Sequence, residues 1–375
     1  MKIVIAPDSF KESLSALEVA NAVEQGFREV FPDAEFVRVP MADGGEGLVH
    51  SLVNALAGQV ITQRVTGPLG EKVEGFFGLI HGGKTAVIEM AAASGLHLVS
   101  LEKRNPLKTT TFGVGELILA ALDYKVERII LGLGGSSTND GGAGMAQALG
   151  GKLLDINGYA IGFGGGALAN LHSINLDGFD VRLKDVGFEV ACDVENPLLG
   201  EAGASAVFGP QKGATAEMVC ELDKNLSHFA SVIERDLGKS VSEIPGAGAA
   251  GGLGAGLLAF LPCQLRKGIQ IVVEATGLED HIRDAALVVT GEGKIDNQTI
   301  YGKTPIGVAA VAQKHNIPVI ALAGSLGPGY EAVYQHGINT VFSIVPGITT
   351  LEHALKNAHQ NIVSSSRNIA SVLAI

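Results

Sequence analysis

Acidic residues recur in this chain where an apolar run gives way to a polar turn: Asp8, Asp43, Asp140, Asp193 and Asp296. One aspartate so placed is an ordinary turn or helix-cap residue, bonded to its own backbone. Several converging on one cleft would suit another task, namely Mg2+ coordination and activation of an attacking hydroxyl in phosphoryl transfer. Lysines lie close in sequence to such turns: Lys11 after Asp8, Lys212 in the turn 209–213, then Lys294 and Lys303. As point charges they could hold a phosphate or a small carboxylate. Each alone is usually a surface lysine, so the reading rests on the set. His50, His81 and His281 stand singly in helices or turns and are given no catalytic role.

The densest concentration of polar groups is residues 129–144, IILGLGGSSTNDGGAG. An apolar β-rich run stops at Gly134, Gly135, Ser136, Ser137, Thr138, Asn139 and Asp140, and a helix-like run follows. Strand, Gly-rich turn and helix in that order let backbone N–H groups approach an anion. The alternative is a tight strand-to-helix connection in which Gly and Asn only supply unusual backbone angles. The length of the polar run favours a ligand loop.

Two formal motifs are decoys. Residues 78–85, GLIHGGKT, fit the phosphate-loop pattern, but a strand follows where the mechanism needs a helix, so a hairpin turn with a solvated Lys84 is expected. Residues 246–251, GAGAAG, match a dinucleotide fingerprint, yet the stretch before them is a poor strand. Close helix packing, or a backbone passing near a ligand, accounts for those glycines equally well. Glu89, heading the small-residue segment 89–95, suits a substrate wall or plain packing.

The elements that must position these groups follow two rhythms. Residues 2–6, 17–27, 36–39 and 48–56 read as strand, helix, strand, helix, with Ser15 and Glu18 forming a capping-box pattern before the first helix. Residues 60–65, 73–80 and 85–90 read as strands with no helix between them, which is meander grammar. A helix over 115–122, the strand-loop-helix at 129–144, a strand over 187–192 and a long amphipathic helix over 215–237 follow. After residue 264 the first rhythm resumes: strands at 286–289, 318–323 and 340–345, with Thr304-Pro305 as a helix start that places Thr304 at the N-cap.

The two ends together build a parallel sheet in the order 2-1-3-4-5, a flavodoxin-like or Rossmann-like doubly wound domain from 1–60 and 264–375. An α+β domain over 61–263 is inserted in it, with the active site expected in the cleft between them. Ligands on such sheets bind beyond the carboxyl ends of the strands at the switch point. Asp8 with Ser9, Gly291 with Glu292, and Asp43 should border that crevice, while the 134–140 loop should face them from the insertion.

At 375 residues two domains are the prior, and 46% hydrophobic residues with 51 glycines describe a globular, loop-rich chain. A formal net charge of −12 argues against a nucleic-acid partner. Cys192, Cys220 and Cys263 lack metal-ligand spacing. The opening MKIVIAP reads as a strand, not a signal peptide, and the uncharged run 245–265 is too rich in Gly for a membrane span. A soluble cytoplasmic protein with no membrane partner is expected.

The blocks APDSFKESLSA (6–16), ADGGEG (42–47), EMAAASGL (89–96), GGSSTNDGGAGM (134–145), ACDVENPL (191–198), FGPQKGA (208–214), PGAGAAGGLG (245–254) and TGEGKIDNQT (290–299) resemble signatures of the bacterial glycerate kinases, in order and over essentially the whole chain. The resemblance implies ATP- and Mg2+-dependent phosphorylation of D-glycerate to 2-phosphoglycerate and ADP, in glycolate/glyoxylate or galactarate–glucarate catabolism. It also implies a Rossmann-like domain with a second α/β domain inserted.

On this basis Asp8 with Lys11 is expected to organise the reacting groups, and Asp43 or Asp193 to act as base or metal ligand. Asp140 and Asp193 are candidate Mg2+ ligands. The loop residues 134–139, with Ser9, Lys212, Gly291, Glu292 and Lys303, are expected to bind phosphate or substrate. A 3-kinase, an NAD(P)-dependent hydroxy-acid oxidoreductase and a non-catalytic ligand sensor are the alternatives. Oligomeric state stays open, a homodimer being one option.

Overall fold

The computed structural model describes residues 1–45 and 47–375; Glu46, within the acidic turn 42–47, lies outside the described residues. The chain divides into two compact units, one from Met1–Asp43, His50–Ala57 and Lys267–Ile375, the other from Gly44–Val49 and Gly58–Arg266.

The first unit carries a five-stranded sheet in the order Thr340–Ser343, Val319–Leu326, Leu287–Ile295, Lys2–Ile5, Glu35–Arg38. All its pairings are parallel. Counted along this unit, that is the expected 2-1-3-4-5 order. Its first helix, Ala16–Arg28, starts at a complete capping box: Ser15 accepts from Glu18 N, and the Glu18 carboxylate accepts from Ser15 N at 2.8 Å. The reciprocal bonds satisfy backbone donors that a helix start leaves without partners. Val19, Ala20, Val23 and Phe27 turn inward at helical spacing and share a core with Ile362, Val363 and Ile369 of the closing helix Ala358–Leu373. Burial of each such large side chain contributes roughly 1.5–3 kcal/mol. Gly26 sits at the crossing, where a Cβ would fall 2.3 Å from the Val363 carbonyl.

Two strands run further than the sequence indicates. Leu287–Ile295 continues through Gly291, Glu292 and Gly293, and Val319–Leu326 through Gly324 and Ser325, because their ladder holds on to Ile295 opposite Leu326. The glycines there look like turn signals but answer to crowding: a Cβ on Gly291 would lie 2.3 Å from the Leu322 carbonyl. Glu292 is therefore within a strand, not beyond its end.

The second unit holds a six-stranded sheet in the order Cys263–Arg266, Gly187–Ala191, Arg128–Gly132, Thr85–Glu89, Lys72–Ile80, Gln59–Thr66. The meander over its last three strands is antiparallel, and the remaining pairings are parallel, giving a mixed sheet. Its core gathers Phe77, Ile88, Leu117, Ile129, Leu131, Met145, Phe229 and Leu253, each fully buried. The phosphate-loop lookalike is a hairpin turn between Lys72–Ile80 and Thr85–Glu89, and the exposed Lys84 pairs with Glu127 at 3.0 Å. Among the described residues no helix is long and apolar enough to cross a membrane. The 245–265 run instead forms the buried helix Ala249–Phe260 and the strand Cys263–Arg266.

Candidate active site

Asp8 stands just past the Lys2–Ile5 strand, where its backbone N–H donates to the Gly291 carbonyl at 2.9 Å. The same ladder draws in the neighbouring chain, since Met41 N donates to the Pro7 carbonyl at 2.9 Å and so brings Asp43 alongside. Ser9 N donates to Asp8 Oδ1 at 2.6 Å, and Thr304 Oγ1 to Asp8 Oδ2 at 2.5 Å.

Thr304 is not the N-cap of the helix Thr304–Lys314, as its sequence context suggests. Lys303 occupies the cap position, without a capping side-chain bond, and the Thr304 hydroxyl is committed to Asp8. The first turn of that helix is thus tied to the carboxylate.

Asp8, Ser9, Lys11, Asp43, Glu292 and Lys303 line one cavity of about 500 Å³ within the first unit. Burial pushes the Asp8 carboxyl up from 3.8 to about 6, and the Asp43 charge pushes the same way, against the Thr304 and Ser9 hydrogen bonds. Glu292 is also raised, chiefly by burial; Thr299 Oγ1 donates to its Oε1 at 2.6 Å and Lys303 Nζ lies 3.4 Å from its Oε2. A carboxylate poised near neutrality among lysines can accept a proton from a hydroxyl while the lysines hold anionic oxygens. Asp296 has a different use, closing a turn through Gln298 N and pairing with Lys294 at 2.9 Å.

The remaining expected residues belong to the second unit. There the Arg128–Gly132 strand enters the loop, Gly135 adopts φ +67° and is exposed, and Ser136, Ser137, Thr138, Asn139 and Asp140 are buried. Lys212 is buried too, donating to Ser136 Oγ and to the Thr138 carbonyl, both at 2.7 Å. Burial drives its ammonium from 10.5 to about 7, partly opposed by the Asp140 charge. Ser137 Oγ donates to the Ser94 carbonyl at 2.9 Å, and Asn139 Nδ2 to Ser205 Oγ at 3.0 Å.

The Asp140 oxygens are taken up locally. They accept from Thr111 N at 2.8 Å, Thr111 Oγ1 at 2.9 Å, Gly142 N at 3.2 Å and Gly144 N at 3.3 Å. Those bonds staple the loop to the start of the helix Phe112–Asp123 and of the helix Ala143–Ala148, and leave little lone-pair capacity for a metal. Asp193, the other expected metal ligand, is exposed beyond the Gly187–Ala191 strand. Among the described residues no three His, Cys, Asp or Glu side chains gather as a metal cage.

The GAGAAG stretch is packing. No strand precedes it, and Gly251 has φ +70° with a Cβ position 1.9 Å from the Thr138 carbonyl, while Gly141 N donates to Gly251 O at 3.0 Å. Only a glycine lets this backbone close under the loop. Glu89 likewise packs: it accepts from Val49 N at 2.8 Å and Gly47 N at 3.3 Å at the start of the helix Leu48–Ala55. Residues that sequence reasoning missed are Thr304 and Thr299 beside the carboxylates, and Ser94, Thr109, Thr111 and Ser205 under the loop. Ser94 and Thr299 lie inside the polar blocks and Thr304 stood out only as a helix start, while Thr109, Thr111 and Ser205 lie outside the blocks and carried no signal.

The family model described as the glycerate kinase family matches residues 3–374. A glycerate kinase of Bacillus subtilis is 61% identical over 371 residues, covering 99% of this chain and 97% of that protein. A glycerate 2-kinase of Escherichia coli is 60% identical, covering 100% of this chain and 98% of its own length. A crystal structure described as glycerate kinase 2 from Salmonella typhimurium LT2 superposes with a TM-score of 0.92 at 56% identity, covering 100% of this chain and 98% of the other.

Proposed function

Because this chain belongs to the glycerate kinase family and is thus a small-molecule kinase, we propose that it transfers the terminal phosphoryl group of ATP to the C2 hydroxyl of D-glycerate, giving 2-phospho-D-glycerate and ADP. The observation that carries this reading is the cavity in which Asp8, held near pKa 6, meets Asp43, Glu292, Lys11 and Lys303. The name of the Escherichia coli relative supports the 2-position. Asp8 accepts the hydroxyl proton; Thr304 and Ser9 fix the orientation of its carboxylate. Lys11 and Lys303 hold the anionic oxygens of substrate and phosphate.

Mg2+ is bound characteristically by one or two carboxylates together with substrate phosphates and waters. Asp43 fits that donor set, lying near enough to Asp8 for its charge to raise the Asp8 carboxyl. Asp43 would hold the ion, which when bound neutralises phosphate charge. In the second unit, the 134–139 loop braced by Lys212 is proposed to contact phosphate or glycerate through its edge at the half-buried Gly134 and the exposed Gly135. Asp193, exposed in the second unit, is kept as an alternative base or Mg2+ ligand. We further read the enzyme as cytoplasmic, serving organic-acid and sugar-acid breakdown.

The test is 31P and 1H NMR of the product formed from ATP, Mg2+ and D-glycerate. Three-bond coupling of phosphorus to the single C2 proton, a doublet in the proton-coupled 31P spectrum, is expected. Coupling to the two C3 methylene protons instead would refute the position, and absence of ADP would refute the reaction. A hydride-linked absorbance change with NAD(P)+ would instead favour the oxidoreductase.

A further inference from the structure

The cavity beside Asp8 is larger and less polar than a three-carbon hydroxy acid requires. Beside its charged groups and Ser9, Ser13 and Ser325, it is walled by Phe10, Ile344, Val345, Leu351, Ala354 and Leu355. The sheet order separates the two kinds of lining. Asp8 and Glu292 come from the central strands Lys2–Ile5 and Leu287–Ile295, and Asp43 follows Glu35–Arg38. Ile344 and Val345 come just after the opposite edge strand, Thr340–Ser343, and Leu351, Ala354 and Leu355 from the helix Leu351–Lys356 that follows it.

The loop after Asp8 reaches across to that side and is pinned there. Ser13 Oγ donates to the Leu355 carbonyl at 2.8 Å, and Phe10 bridges to Leu14. Leu351 is 73% exposed, and Ile348, just before the helix, is wholly exposed. Apolar surface is thus open to solvent at one end of a cavity whose other end is built for anions. A glycerate molecule, polar at every carbon, has nothing to lay against it.

We infer that the apolar wall formed by Phe10, Ile344, Val345, Leu351, Ala354 and Leu355 is the pocket for the purine base of the phosphoryl donor. The inference rests on the ATP reading proposed above. A purine is flat, aromatic and uncharged, and burying its faces on aliphatic and aromatic side chains removes apolar surface from water on both partners. The triphosphate then runs from the edge strand towards Lys11, Lys303 and the carboxylates, along the carboxyl ends of the strands, where anions bind in sheets of this kind.

The experiment pairs two variants with a photolabel on the full-length enzyme. Ala354→Phe fills the pocket from a half-buried helical position, and Leu351→Ala trims an exposed side chain that the fold does not need. Ala354→Phe should raise the KM for ATP by at least about tenfold while the KM for D-glycerate changes by less than about twofold. Leu351→Ala should shift the ATP value in the same direction by a smaller factor. Inhibition by inorganic triphosphate, which carries no base, should be unchanged in both. With 8-azido-ATP, the label should fall on the tryptic peptide spanning 315–356. An unchanged ATP KM in both variants, or label on peptides of the second unit with turnover intact, overturns the base pocket alone. Absence of both turnover and labelling with ATP overturns the ATP reading and the pocket with it.

Discussion

Replacing Lys212 by Met removes a buried ammonium and tests how the polar loop of the second unit is held. Lys212 Nζ donates to Ser136 Oγ and to the Thr138 carbonyl, both at 2.7 Å, and burial lowers its pKa from 10.5 to about 7. The sign follows from proton binding. A group with a depressed folded-state pKa holds fewer protons folded than unfolded between those two values, so stability rises with pH across that window. The cost of the buried group is fully present below about pH 7, declines as pH rises, and is gone above about 10.5. Between pH 7 and 9 the linkage amounts to about 2 kcal/mol, taking each pH unit of full proton difference as about 1.4 kcal/mol. Lys212→Met keeps most of the aliphatic volume and abolishes the titration, while losing hydrogen bonds that together contribute about 2–3 kcal/mol. The assay is urea unfolding followed by circular dichroism at pH 7, 8 and 9. The stability of the wild type relative to Lys212→Met should rise by about 2 kcal/mol between pH 7 and 9. Parallel curves would refute the reasoning, because a solvated or fully charged lysine gives no such slope in this range.

Thr304→Val removes a hydrogen bond that stabilises the ionised Asp8, so the acidic limb of the kcat/KM profile should move upward by roughly half a pH unit. A fixed limb would show that Asp8 does not set it. Glu89→Ala should cost about 1–2 kcal/mol in thermal or urea unfolding, because Gly47 N and Val49 N lose their acceptor at a helix start; a neutral result would reject the cap. Gly251→Ala places a methyl 1.9 Å from the Thr138 carbonyl at φ +70° and should cost more than about 3 kcal/mol or abolish soluble expression. A stable, active Gly251→Ala enzyme would mean the backbone there can move aside.

The sheet of the first unit was legible because each strand is a short apolar run closed by a polar turn and separated from the next by a helical period. That grammar also led to Asp8 and Asp43, since loops at the carboxyl ends of neighbouring parallel strands must share a rim; Glu292 lines the same cavity from within the extended strand Leu287–Ile295. The extension of Leu287–Ile295 and Val319–Leu326 through their glycines was not legible, because crowding by a neighbouring backbone and a turn demand the same residue. Ser136, Ser137, Thr138, Asn139 and Asp140 read as a ligand loop by composition. Their burial was not legible, since partners such as Ser94, Thr111, Ser205, Lys212 and Gly251 lie far away in sequence. A polar string can serve a ligand and an internal network at once: most of this loop is bonded internally, while Thr138 Oγ1 and Asn139 Oδ1 are buried without a hydrogen-bond partner.

The central claim is that Asp8 is the base of a kinase cavity, and the pH dependence of kcat/KM for D-glycerate in wild type and Asp8→Asn tests it most directly. A base must be ionised, so the wild-type rate should fall as pH drops through about 6. Asp8→Asn should lose about 100-fold or more in kcat with little change in the KM for D-glycerate, and should lose the acidic limb. An Asp8→Asn enzyme with near-wild-type kcat, or one that keeps the limb near pH 6, would contradict the account.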